Sequence, residues 1–168
     1  MNKVSTELTA KPIFTKLVRA NGVPAPGEDI HIEANEAQRA ALAKLNKLAE
    51  IKRLEANVTV KHRGKELHVR GVITADVIYT CVRTLELFPA TVIEKVDMMF
   101  APPQDERHHK HVDLSFGDSE PEPLIDGQAD IGALVQELFQ LALDPYPHLP
   151  GTEPKDIAVP DNLVQLKR

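Results

Sequence analysis

One cysteine, no tryptophan and few other rings (two Tyr and five Phe) occur in this chain of 168 residues. A lone Cys81 cannot close an internal disulfide, which fits a reducing, cytoplasmic setting. With so few rings, the core has to be built from aliphatic side chains. No stretch approaches the roughly 18 apolar residues of a membrane span. The most apolar segments, Val72–Ile78 and Ile131–Leu143, are short and interrupted by polar residues, so no membrane partner is expected. Met1–Ala10 has no apolar run behind Lys3, which argues against a secretory signal. There is no Gly-rich phosphate loop, no G-x-S-x-G elbow and no H-E-x-x-H helix. No residue set therefore asks for an enzyme or a cofactor.

What is present suits one globular domain. Hydrophobic residues make up 42% and charged residues 27%, and the length fits a single unit. We place that domain at residues 10–150, with a polar, mobile loop at 101–123 and a flexible tail at 151–168. Nine of the thirteen prolines lie from Pro102 to Pro160, leaving the first hundred residues free for long elements. Residues 12–18 read as a short strand, and Ile30 and Ile32 flank His31 in a second extended piece. Asn35 is placed to cap an amphipathic helix over Glu36–Glu50, with Ala37, Ala41, Leu45 and Leu48 on one face. The period then changes to two. Leu54, Ala56, Val58 and Val60 alternate with polar residues, and so do Leu67, Val69, Ile73, Ala75 and Val77 beyond a turn at Gly64. This pattern is a β-hairpin, its second strand running on through Tyr79 and Cys81. A third strand, Thr91–Phe100, puts Val92, Val96, Met98 and Phe100 on one face, with Pro89 in the connection before it. Asp130 caps a second helix whose stripe is Ile131, Leu134, Val135, Leu138 and Ala142. Gln136, Glu137 and Gln140 form its wet side, and Phe139 serves either the core or a partner. The expected class is α+β: a twisted antiparallel meander, open or barrel-like, packed by two main helices.

The net charge of −5 hides a segregation. From Arg39 to Arg70 nine bases face three acids, a net +6; from Asp105 to Asp130 eight acids face two bases, a net −6. A hairpin tip written Lys61-His62-Arg63-Gly64-Lys65 can offer several cations to phosphates without burying any of them. Lys52, Arg53, Lys61, Arg63, Lys65 and Arg70 are the candidate RNA-binding residues; a solvated, solubilising face is the plainer reading of the same charges. The acidic segment offers a different class of function, a module that engages and chaperones a basic protein. His108-His109-Lys110-His111 lacks a nearby cysteine and any ordered framework, so no metal is assigned to it. His62 and His68 flank the tip and could meet across it. Cys81 ends an apolar alternating run, where a buried small hydrophobe is the default and an activated nucleophile the alternative.

Two segments carry a resemblance. Tyr79-Thr80-Cys81-Val82-Arg83-Thr84-Leu85-Glu86 lies between two strands, the second ending Met98-Met99-Phe100. Later, Glu122-Pro123-Leu124-Ile125-Asp126-Gly127-Gln128-Ala129-Asp130-Ile131-Gly132 leads into Leu141-Ala142-Leu143-Asp144-Pro145-Tyr146-Pro147. Their order and spacing, over roughly residues 10 to 155, resemble the YceD family of large ribosomal RNA subunit accumulation proteins, most closely its alphaproteobacterial branch. The resemblance implies a bacterial, cytoplasmic, non-enzymatic factor in ribosome biogenesis, whose partners are large-subunit ribosomal RNA, a ribosomal protein, or both. Many members carry a second cysteine three residues after the first, and some a Cys-rich C-terminal end; here Thr84 stands at that position and the tail has none. A structural zinc role is therefore not carried over. Cys81, Leu85, Glu86, Asp126, Asp130 and the Leu141–Pro147 stretch match the family motif, and the resemblance implies an architectural job for them, with the second helix docking beside Cys81.

Overall fold

The computed structural model describes residues 12–103 and 121–152. In chain order, two strands, β1 (Leu17–Arg19) and β2 (Glu28–Glu33), lead to helix α1 (Glu36–Leu45). Three long strands follow, β3 (Glu50–Arg63), β4 (Glu66–Thr80) and β5 (Leu87–Ala101). Two short ones, β6 (Glu122–Pro123) and β7 (Gln128–Asp130), precede helix α2 (Ile131–Ala142). The result is an α+β fold. The main sheet has the order β2-β3-β4-β5-β6, open at both edges, and β1 pairs with β7 in a second, two-stranded sheet. All pairings are antiparallel except β5 with β6.

Period-two alternation builds the centre. Leu54, Ala56, Val58 and Val60 of β3 and Leu67, Val69, Ile73, Ala75 and Val77 of β4 are all buried, as are Tyr79 and Cys81 beyond them. Their neighbours of opposite parity face water, so one face of the sheet carries the core and the other is wet. The expected meander is the middle of a wider sheet. Ile30 and Ile32 are buried in β2, opposite Val58 and Ala56, which makes that piece a full partner of β3.

Four details of the sequence reading change. Pro89 lies inside β5, opposite Ile78, rather than in the connection. It is tolerated because β6 reaches only Phe100 and Ala101, so β5 is a sheet edge at residue 89, where proline blunts unwanted pairing. Of residues 12–18 only Leu17 and Val18 are in a strand, since the N–H groups of Ile13 and Phe14 instead donate to Gln136 Oε1 at 2.9 and 3.2 Å. Gln136 is thus a half-buried tether, not part of a wet side. Ala101 and Glu122–Pro123 belong to strands, while residues 104–120 of the expected loop, including His108–His111, lie outside the described residues, as do residues 153–168 of the tail.

The fourth change concerns α1. Asn35 caps it in a reciprocal box with Gln38, both bonds 2.9 Å long. The helix stops at Leu45, five residues earlier than expected: Lys47 takes φ +55° and the Leu48 N–H reaches back to the Ala43 carbonyl at 2.9 Å, a Schellman-type end. Its buried face is Leu42 and Ala43, whereas Ala37 and Ala41 are exposed and Leu45 is 53% exposed. Of the expected stripe only Leu48, beyond the helix end, is buried; within the helix the face is turned by one residue, about 100°, because alanines weigh too little to fix it. Helix α2 agrees with the reading in its stripe and its Asp130 cap, whose Oδ1 accepts the Ala133 N–H at 3.0 Å. Phe139 belongs to the core, with no exposed surface.

Candidate functional site

The turn between β3 and β4 has two residues, Gly64 and Lys65, closing on the Arg63–Glu66 pair. Gly64 takes φ +68° at the position where type II′ hairpins require it. The last pair of β3 with β2 is at Val60, and the last pair of β4 with β5 is at Leu67. Residues 61–66 therefore lie past the last ladder pairs with both neighbouring strands, with the Lys61 stem resting against Gly27 just before β2. Lys61, His62, Arg63 and Lys65 are all exposed there. Among the described residues, no carboxylate lies within 4.0 Å of Lys61, Arg63 or Lys65. Among the described residues, the tip presents three unpaired cations and one acid, Glu66.

The six candidate cations are not one patch. Arg53 Nε donates to Asp76 at 2.9 Å and its Nη1 to Glu55 at 3.2 Å. Arg70 Nη2 lies 3.2 Å from Asp97, which His68 Nε2 also approaches at 2.5 Å. Apart from Arg53–Glu55, which lies within β3, these are cross-strand pairs on the wet face, set by register. The Thr91 hydroxyl and then the Arg53 guanidinium hold Asp76 below the usual carboxylate range, and His68 and then Arg70 do the same for Asp97. Arg53 and Arg70 are thus partly neutralised at home. Lys52 sits at the bulge between Ile51 and Arg53. Nine residues of strand put it roughly 30 Å from Lys61, beside Arg39, Lys44, Glu36 and Glu50 in a groove of mixed charge. His62 and His68 do not meet: His62 is opposite Leu67 and His68 opposite Lys61, so the two point to opposite faces.

The Cys81 turn is the second candidate. The Cys81 N–H donates to the Glu86 carbonyl at 2.8 Å, and the Leu85 N–H returns to the Cys81 carbonyl at 3.0 Å, with Leu85 at φ +63°. The hydrogen bonds that hold it come from the segment after α2, while Gln140 of the helix lines a hollow with Thr80 and Val82. Val82 donates to the Pro147 carbonyl at 3.0 Å, the Leu149 N–H points at Cys81 Sγ at 3.3 Å, and the Arg83 guanidinium donates to the Thr152 carbonyl. The Tyr79 hydroxyl accepts the Asp144 N–H at 3.0 Å nearby. Glu86 contributes its carbonyl, and Leu85 remains 75% exposed. Asp126, at φ +51°, shapes the turn between Ile125 and Gln128, while Asp130 ties the segment before β1 to the start of α2, accepting the Lys16 N–H at 2.9 Å as well as capping α2. The Asp-Gly dipeptide at 126–127 was a legible signal for that turn; nothing in the sequence announced the approach of Leu149 to the sulfur.

Cys81 has no accessible surface. The Leu149 N–H and then the Thr84 hydroxyl pull its thiol down to about 6, against burial, which pushes it up. This folded value lies below the ordinary 9.0, so between the two the unfolded chain binds more protons than the folded one. The stability this group contributes is complete above about 9 and is lost as the pH falls through 6. Urea midpoints measured from pH 9 to pH 6 are expected to drop more in the native chain than in Cys81→Ser. Parallel profiles would show that the folded thiol stays protonated. Among the described residues, no group of three or more His, Cys, Asp or Glu is arranged to hold a metal ion, and no helix is long and apolar enough to cross a membrane.

No family model matches the chain, and neither a curated protein nor a solved structure matches it.

Proposed function

We propose that this protein is a non-catalytic, cytoplasmic RNA-binding factor of the YceD type, which promotes accumulation or processing of large-subunit ribosomal RNA. The observation that carries the reading is the hairpin tip, where Lys61, Arg63 and Lys65 are all exposed beyond the last ladder pairs with the neighbouring strands. Phosphate contacts of this sort release counterions and supply affinity without demanding a base sequence. No aromatic residue interleaves with these bases, which favours the backbone of folded RNA over stacking on single strands. A second support is architectural. Of the segments on which the family resemblance rests, Tyr79–Glu86 and the Leu141–Pro147 end of the later one lie against each other through Tyr79, Val82, Asp144 and Pro147.

Reversing Lys61, Arg63 and Lys65 to Glu together is expected to weaken binding to large-subunit RNA about tenfold or more. The log–log salt slope should flatten by roughly 0.7–0.9 for each phosphate that is no longer neutralised. Arg53→Gln and Arg70→Gln, whose charges are already paired, should change both much less. Filter binding across a salt series reads all of this. Unchanged affinity and slope in the triple variant would reduce the tip to a solvated turn.

A further inference from the structure

Near the same end of the sheet, β1, β6, the turn at 125–128 and the first turns of α2 enclose a groove of about 470 Å³. Its floor is apolar. Phe100 and Leu134 are buried beneath it, yet Leu17 and Ile125 are left 62% and 73% exposed. Its rim is acidic: Glu122, Asp126 and Glu137 are all exposed, and among the described residues no Lys or Arg lines it. Asp130 borders the groove too, but its Oδ1 is occupied by the Lys16 and Ala133 N–H groups, so it is a capping residue. Among the described residues, none of Glu122, Asp126 and Glu137 has a base within 4.0 Å.

Exposed aliphatic surface favours an apolar cover, and converging carboxylates favour a cation. A nucleic acid would be repelled by the rim, and a purely apolar segment would leave the carboxylates unmatched. Lys and Arg chains satisfy both demands, because their methylene stems lie on apolar surface while their charged heads reach the rim. We infer that this groove docks a basic segment of a partner protein, one in which Arg or Lys alternates with aliphatic residues. Charge complementarity selects the cations; Leu17 and Ile125 select the aliphatic part. Leu67, at the base of the cationic tip, is opposite Phe100, which is opposite Glu122. Two strand spacings, about 10 Å, therefore separate the tip strand from the groove's edge. One end of the molecule so offers cations to a polyanion and, beside them, an acidic groove to a polycation.

The test uses the full chain and a short labelled peptide alternating Arg and Leu, read by fluorescence anisotropy. Binding is expected, and the double variant Glu122→Lys with Glu137→Lys should weaken it about tenfold or more. Leu17→Ser with Ile125→Ser should weaken it as well, and so should a peptide with Ser in place of Leu. Because the substituted side chains are exposed, circular dichroism should show all variants folded. The triple reversal of Lys61, Arg63 and Lys65 should leave peptide binding intact, so the groove and the RNA reading fail separately. No binding, or equal binding by the Glu122/Glu137 variant, would overturn the proposal. Equal binding of the Ser-for-Leu peptide would also overturn it, by reducing the groove to diffuse charge. Self-association in sedimentation that disappears when the tip is reversed would replace the partner with a second copy.

Discussion

Phe139→Ala is expected to lower stability by about 3–5 kcal/mol, the range for truncating a fully buried aromatic. Phe139 is the largest of the side chains with essentially no accessible surface, and it lies on the helix that packs against β5. It belongs to the buried core cluster, with Ile131 and Val135 of the same helix fully buried beside it in sequence. Backbone-anchored strands cannot collapse far into the space an alanine leaves. A domain of this size has only about 5–15 kcal/mol to lose, so the urea midpoint should fall steeply while the slope of the transition is kept. Phe139→Leu, which retains most of the volume, should lose much less. A loss below about 1 kcal/mol for the alanine variant would mean that this face of α2 is not packed as described.

The second large effect is expected at Gly71, and its sign runs against ordinary strand chemistry. Glycine inside a strand is usually a weakness, so adding a methyl group should help. Here the chains approach too closely. Gly71 is opposite Val58, and a Cβ on it would sit 2.1 Å from the Asn57 carbonyl oxygen and 2.6 Å from Val58 Cα. These are main-chain atoms, which cannot swing aside as a side-chain end can. Gly71→Ala should therefore cost about 3 kcal/mol or more, at or beyond the usual range for overpacking, and Gly71→Val more still. Val72→Thr, one residue along on the wet face, should stay within about 0.5 kcal/mol as a control. Chemical denaturation reads the difference, and loss of soluble protein in the valine variant would report the same clash. A Gly71→Ala variant as stable as the native chain would show that β3 and β4 do not come this close.

Why some of this was legible and some not follows from where the information sits. The hairpin of β3 and β4 declared itself because parity alone assigns a face, and Val58, Val60, Val69 and Ile73 carry both the parity and the β-branched preference. Helix α2 did so because Ile131, Leu134 and Val135 are bulky enough to mark one stripe. In α1 the alanines could not, and Leu42 decided the face. The cationic tip needed only a local turn, so its exposure could be read from five residues. The fate of Arg53 and Arg70 depended on which acids the register sets beside them, a non-local fact. The same holds for Cys81, whose sulfur meets an N–H 68 residues further along. The acidic groove was the least legible feature. Leu17 and Glu137 lie far apart in sequence, and neither is unusual until β1 pairs with β7.

That pairing also sets an order of events during synthesis. Lys16 and Asp130 are bonded across 114 residues, and Ile13 and Gln136 across 123. A ribosome adding about 5–20 residues per second needs roughly 6–25 s to make the later partner after the earlier one. Within that interval β2 to β5 are made and can pair among themselves, while Phe14 and Val18 wait for a surface that does not yet exist. The strand β1 is thus placed only after β2 to β5, and the acidic groove forms only once Glu137 has been made.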